Sequence, residues 1–426
     1  MADLHGLAQA LKQLDDQLVN CMRCGMCQAV CPVFAQTGRE TDVTRGKLAL
    51  LEGLADELLK DPDAVNDTLN RCLMCGTCQA NCPSGVKVLD IFFQARAILT
   101  GYYGLSPVKK AIFRGMLANP RLFNALSFIG ARFQFLFTKK ADELLGSSCA
   151  RFQAPLIADR HFNTLAATSL HARTGSLNTP AGTSGLRAAF FPGCVVDKMY
   201  PSVGLAVIKA LNHHGVGVYL PANQACCGIP VLSSGDRQGF NRLVEQNVKL
   251  FADADCTALV TPCASCTATI KELWPEFYDG SADIGAELRR LAEKTMDISE
   301  FLVDRCGVAV FEPVPGASVT YHDPCHLKNS LGITRQPRQL LESAGAHLQE
   351  MEDAGTCCGC GGTFNIYHYE TSKKIGSHKA DCIVASGAST VTTSCPACMM
   401  QITDLLSRRQ SGIGVRHVVE VYADRL

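Results

Sequence analysis

Eight cysteines near the start of the chain fall into two runs of one spacing. Cys21, Cys24, Cys27 and Cys31 precede Pro32, and Cys72, Cys75, Cys78 and Cys82 precede Pro83, so each run reads C-x2-C-x2-C-x3-C-P. Thiolates select zinc or iron–sulfur clusters over hard cations. A single run could be a zinc knuckle, but two runs of identical spacing, each closed by proline, match the ligand pattern of paired [4Fe–4S] clusters. In such pairs the fourth cysteine of each run reaches across to the other cluster. The expected sets are therefore Cys21, Cys24, Cys27 and Cys82 for one cluster, and Cys72, Cys75, Cys78 and Cys31 for the other. Two clusters so close together can pass electrons.

Ten further cysteines form two matched quintets. Cys194, Cys226 and Cys227 recur 131 residues later as Cys325, Cys357 and Cys358, while Cys263 and Cys266 recur 132 residues later as Cys395 and Cys398. Each quintet reads as a lone Cys, a Cys-Cys-Gly turn and a C-x2-C, the mark of an internal duplication. Adjacent side chains such as those of Cys226 and Cys227 diverge, so they reach different irons more easily than one ion. Gly228 and Gly359 free the turn from Cβ restrictions. A closed zinc site uses four ligands, one fewer than each quintet offers; a zinc-bearing unit is the alternative reading.

Other residues fit less well. Cys360 follows Cys357-Cys358-Gly359, where the first unit has Ile229, and it leaves the second ligand set open. Cys149, Cys256, Cys306 and Cys382 have no counterpart in the duplication and read as ordinary small hydrophobes. His322 and His326 flank Cys325 and are expected to support the ligands. His213 and His214 read as a helix end.

The elements that must position these groups follow from periodicity. Leu4, Leu7, Leu11, Leu14 and Leu18 mark an amphipathic helix leading into the first run. Leu48, Leu51, Leu54, Leu58 and Leu59 mark a second helix between the runs, with Lys47, Glu52 and Glu57 off its apolar face. In the duplicated half, β-prone stretches at 187–191 and 318–321 stop just before each lone cysteine. Val203, Val207, Ala210 and Leu211 then give a helix its buried face, with Gly215 as terminator. Strands alternating with helices imply a partly parallel sheet whose ligands gather at the carboxyl ends of its strands. The expected fold is α+β and multidomain: a helical two-cluster domain at 1–104, a basic and aromatic helical connector with a linker at 105–186, and two α/β cysteine-rich domains at 187–310 and 315–426.

The connector is unusual. From 105 to 140 there is no acidic residue, while Lys109, Lys110, Arg114, Arg121, Arg132, Lys139 and Lys140 alternate with phenylalanines. Leu122, Leu126, Ile129, Phe133 and Phe137 share one helical face, which suits a helix lying on anionic lipid. A helix packed on its own core or on a partner demands the same moment and is the reading preferred from sequence. The Gly-, Ser- and Thr-rich stretch from 171 to 185 reads as a linker.

The 426 residues exceed one typical core. With 40 basic and 40 acidic side chains the formal charge is zero, and nothing global points to nucleic acid. In a chain this long, 23 cysteines in ligand spacings argue for a reducing cytosol rather than a disulfide scaffold. No secretory signal is visible. The uncharged runs at 210–235 and 382–403 are broken by Gly, Ser and Thr, and neither reads as a membrane span. There is no G-x-G-x-x-G opening a helix, no P-loop and no nucleophile elbow. Clusters move single electrons and hydride chemistry needs a flavin or nicotinamide, so dehydrogenation is expected on another chain.

The N-terminal pattern is similar to the helical ferredoxin domain of succinate dehydrogenase iron–sulfur subunits. The Cys…Cys-Cys-Gly…C-x2-C unit resembles the cysteine-rich (CCG) domain of heterodisulfide reductases. The whole arrangement resembles the iron–sulfur subunits of glycolate oxidase, lactate dehydrogenases and anaerobic glycerol-3-phosphate dehydrogenase, and Val415-Arg416-His417-Val418-Val419-Glu420-Val421 looks most like the glycolate oxidase subunit. The resemblance implies two [4Fe–4S] clusters in the ferredoxin domain, one more per cysteine-rich domain and no catalytic residue for the dehydrogenation. It also implies an FAD-linked oxidase partner and a quinone or other carrier as acceptor. Peripheral contact with the inner face of the cell membrane is the corresponding expectation for the connector. A heterodisulfide reductase-like chemistry at a quintet, or a non-catalytic zinc scaffold, are the rival readings.

Overall fold

The computed structural model describes residues 3–152, 160–252, 254–314, 316 and 318–426. Its first part is helical. Leu7 and Leu11 of the Leu4–Lys12 helix are buried, as are Leu14 and Leu18 beyond it, against Leu48, Leu51 and Leu54 of the Thr44–Ala55 helix. Each leucine taken from water contributes roughly 1.5–3 kcal/mol. Two expectations for the second helix fail. The chain leaves it at Ala55 and turns at Glu57, which has a φ of +57°, so Leu58 and Leu59 are exposed. Lys47 is buried rather than off the face, because its ammonium donates to the carbonyls of Thr41 and Asp42. The Val88–Tyr103 helix is the centre of this part, burying Ile91, Phe92, Phe93, Ala95 and Leu99, and it stops at Gly104, whose φ is +75°.

The duplicated half contains two sheets of one topology. In the first unit β5 (Arg187–Phe190), β6 (Gly217–Leu220), β7 (Ala258–Thr261) and β8 (Thr295–Asp297) lie in the order β6-β5-β7-β8, all parallel. In the second, β9 (Ser318–His322), β10 (His347–Leu348), β11 (Thr390–Thr393) and β12 (Gly414–His417) lie in the order β10-β9-β11-β12, again all parallel. The Pro201–His213 helix buries Val203, Val207, Ala210 and Leu211 as expected, and Gly215 follows it at a φ of +64°. Strands β6, β8, β10 and β12 escaped the sequence reading. They are two to four residues long, too short for a period to show.

The connector also departs from a helical linker. After the Pro120–Phe133 helix, β1 (Thr138–Asp142), β2 (Ser147–Ala150) and β3 (His161–Asn163) form an antiparallel meander. The 171–185 stretch contributes β4 (Leu177–Asn178), which adds an antiparallel edge to the first unit's sheet beside β6. Polar β-strands lack the alternation that would announce them. Ser147 is buried because its hydroxyl pairs with that of Ser407 at 2.6 Å. No described helix is long and apolar enough to cross a membrane.

Candidate metal centre

The two four-cysteine runs fold alike. Arg23 and Met74, each just before the second cysteine of its run, both adopt a φ of +55°, and Gly25 and Gly76 follow at +88° and +72°. This left-handed turn starts the short helices Met26–Val30 and Thr77–Ala80 that carry the third cysteines. One small pocket is lined by Cys31, Cys72, Cys75 and Cys78 together with Asp42 and Lys47. A second is lined by Cys21, Cys24, Cys27 and Cys82, with Cys78 at its edge. Burial pushes the Cys31 thiol up to about 11, with Cys72 and Cys75 adding to the effect. Thiols packed this way lose their protons readily only to a metal.

Both quintets stand at the carboxyl ends of their parallel strands. Cys194 follows β5, Cys226 and Cys227 follow β6, and Cys263 caps the helix after β7; Cys325, Cys357, Cys358 and Cys395 repeat these places in the second sheet. All ten, with Cys360, line one cavity of about 460 Å³. Cys194 and Cys226 lie 3.9 Å apart, sulfur to sulfur. In each unit the second Cys of the Cys-Cys-Gly turn is held well below the usual thiol range by its neighbours' S–H groups. Cys227 accepts from Cys226 and Cys266, and Cys358 from Cys357 and Cys398. The quintets meet where Cys263 pairs with Cys395. The turn requires glycine: Gly228 and Gly359 have φ of +97° and +88°, and a Cβ there would lie 2.8 Å from the Phe240 ring or 2.6 Å from the Ser372 carbonyl.

The centre is joined to the helical part through both units. Cys75 packs against Cys357 side chain to side chain, and Asn329 donates to the Cys75 carbonyl at 2.9 Å and to Thr77 Oγ1 at 3.0 Å. Arg96 donates to the carbonyls of Ser233 at 2.9 Å, Leu69 at 2.7 Å and Cys72 at 3.3 Å, tying the Val88–Tyr103 helix to the first unit.

Residues 188–271 and 319–403 each match the family described as Cysteine-rich domain, and residues 17–86 match the 4Fe-4S dicluster domain. The "Probable glycolate oxidase iron-sulfur subunit" of Bacillus subtilis is 30% identical over 406 residues, covering 91% of this chain and 89% of that one. The chain belongs to the glycolate oxidase iron–sulfur subunit family. It is thus an oxidoreductase subunit that carries [4Fe–4S] clusters. "Lactate utilization protein A" of Geobacillus kaustophilus is 35% identical over 241 residues, 55% of this chain and 98% of that one. A crystal structure of a hypothetical protein from Helicobacter pylori shares the fold, with a TM-score of 0.54 over 98% of this chain and 76% of that one at 10% identity.

The residues of this family member fit clusters in the larger cavity too. His322 is fully buried, neither ring nitrogen makes a well-formed hydrogen bond although the Ala354 backbone lies near the ring, and a ring nitrogen lies within 4.8 Å of the sulfurs of Cys358 and Cys398. Burial pushes its pKa down to about 3, so it stays neutral beside the thiols. An unpaired polar group so placed costs about 1–3 kcal/mol unless a ligand at the thiols accepts its N–H. His326 does something else, bridging Ser265 Oγ at 3.0 Å and the Met74 carbonyl at 3.4 Å. Cys149, Cys256, Cys306 and Cys382 lie away from the lining of this cavity and of both smaller pockets. Lys47 and Arg96 were missed by sequence reasoning, although Arg96 is the sole charge between Ile91 and Tyr103 and an isolated arginine in an apolar helix is a signal.

Proposed function

We propose that this chain is the electron-transfer subunit of a flavin-dependent 2-hydroxyacid dehydrogenase acting on glycolate or lactate. It takes electrons from an FAD-linked subunit and delivers them to a quinone or other carrier. Cys21, Cys24, Cys27 and Cys82 hold the first cluster, and Cys72, Cys75, Cys78 and Cys31 the second. Cys194, Cys226, Cys227, Cys263 and Cys266 serve a third, and Cys325, Cys357, Cys358, Cys395 and Cys398 a fourth. Bound, these clusters would supply one-electron transfer. The chain's own contribution is to hold the thiols, bury them from water and keep neighbouring sites in contact.

The observation that carries this reading is the meeting of Cys75 and Cys357, where a thiol of the dicluster domain touches a thiol of the second unit. Sites that touch can exchange electrons without a mobile carrier. The chain alone is expected to leave glycolate and lactate unoxidised, and its visible cluster absorbance to bleach with either acid once the copurifying flavoprotein is added. Turnover by the flavin-free polypeptide sinks the proposal.

One observation favours a second reading. Thiols of both quintets face a single cavity of about 460 Å³, room for a small substrate. There a disulfide could take two electrons and two protons to leave as two thiols. Disulfide reductase activity in the isolated, chemically reduced chain would select that reading.

A further inference from the structure

The Pro120–Phe133 helix has two faces with different fates. Its inner face is fixed to the protein. Phe123 packs on the core, Asn124 Oδ1 accepts from Lys198 Nζ at 2.6 Å, and the Gln134 amide pairs with the Leu165 backbone at 2.8 and 2.9 Å. The outer face carries Leu122, Leu126, Ile129 and Phe133, at steps of four, three and four, and all are exposed. Packing on the protein's own core, one of the uses open to this face from sequence, is therefore excluded. The apolar surface continues past the helix through Phe135, Leu136 and Phe137, and Phe128 and Phe137 are 62% and 61% exposed. Of the 23 large apolar side chains exposed among described residues, ten lie between Leu122 and Phe152, which makes this a patch rather than scatter.

Charge decides what the patch fits. Arg121 and Arg132 flank the apolar stripe, Lys139 and Lys140 stand exposed on the adjoining β1, and Arg151 stands exposed just past β2. Two acids follow the stretch free of acidic residues: Asp142 accepts from the Leu145 N–H at 3.1 Å, and Glu143 makes only a loose pair with Lys140 at 3.8 Å. A helix of 14 residues is about 21 Å long, enough to lie in a headgroup layer and too short to span one. Apolar side chains reaching into the acyl boundary, ringed by cations, are complementary to anionic lipid.

We propose that this face, 120–140, docks the protein on the surface of an anionic membrane. The test is co-sedimentation of the full iron–sulfur holoprotein with phosphatidylglycerol/phosphatidylcholine vesicles and with phosphatidylcholine vesicles. Wild type binds the anionic vesicles at least tenfold better, and salt weakens the binding. The variant Phe128→Ser/Phe133→Ser/Phe137→Ser loses at least tenfold. The variant Arg132→Gln/Lys139→Gln/Lys140→Gln, altered at exposed positions only, loses about fivefold per charge. Iron content and spectrum report that each variant is folded, and if the phenylalanine variant does not fold, the charge variant decides. Wild type that ignores anionic vesicles overturns the proposal, as does a folded charge variant that binds like wild type. Loss of the copurifying flavoprotein from the phenylalanine variant, with no vesicle binding by wild type, assigns the face to protein instead.

Discussion

The two cysteine-rich units carry the same thiols on the same strands, yet the protein grips them differently. In the first, Trp274 Nε1 donates to the Cys227 carbonyl at 2.8 Å, and Asn247 joins the Ala225 N–H at 3.1 Å to the Cys226 carbonyl at 3.0 Å. In the second, the place of Trp274 is taken 132 residues on by Leu406, and that of Asn247 by Lys379. Lys379 is fully buried, donating to the carbonyls of Asp353 and Ala354 just before the Cys-Cys-Gly turn. The first unit is thus held by neutral groups and the second by a cation. The second meets the dicluster domain through a cysteine, Cys357 lying against Cys75. Duplication kept the placement of the thiols and released the surroundings, which is where two otherwise equal sites can acquire different potentials.

The comparison breaks most severely at the thiols. Cys227→Ser and Cys358→Ser are each expected to lose about four irons, one cluster's worth, because affinity depends on the full thiolate set. Iron and labile-sulfide analysis checks this. Retention of iron by Cys358→Ser alone would name Cys360 as a substitute ligand and show the units to be unequal in their ligands as well as their surroundings.

Trp274→Ala comes next. Removing a fully buried indole and its bond to the Cys227 carbonyl should cost about 3–5 kcal/mol. Leu406→Ala in the second unit should cost about 2–5 kcal/mol by cavity formation alone. Denaturant unfolding measures both. The distinguishing result is iron loss confined to the first unit in Trp274→Ala.

The chemistry of this protein is legible in its cysteine spacing because a cluster fixes its ligands' separation and the separation survives as integers. The offsets of 131 and 132 announced two units of one topology, and β5 and β9 were visible because they run straight into a lone cysteine. What stayed hidden is set by tertiary contact. Lys47 looked like a solvent-facing lysine until the carbonyls of Thr41 and Asp42 came together around its ammonium. The edge strand β4 is only Leu177–Asn178, and pairing with β6 rather than composition makes it a strand. The convergence of both quintets on one cavity has no sequence signature at all, since it depends on how two sheets face each other. The connector is the opposite case. Its pattern was plain, but a moment says that a face is apolar without saying what covers it.

The smallest expected effect is also the most pointed. Lys379 places a buried ammonium near Cys357 and Cys358; burial lowers its pKa and the nearby thiols oppose that shift. Its counterpart Asn247 has no charge. A cation beside a cluster favours the reduced, more negative state, so the second unit should have the higher potential of the two. Lys379→Asn makes the second unit resemble the first. The amide can still donate to one of the two carbonyls, so the loss of stability should stay near 1–3 kcal/mol, the cost of one unpaired acceptor. Redox titration followed by electron paramagnetic resonance should then show one signal moving down by tens of millivolts while the others stay, with iron content unchanged. An unmoved signal would mean that charge does not distinguish the units, leaving the contact between Cys75 and Cys357 as their main difference.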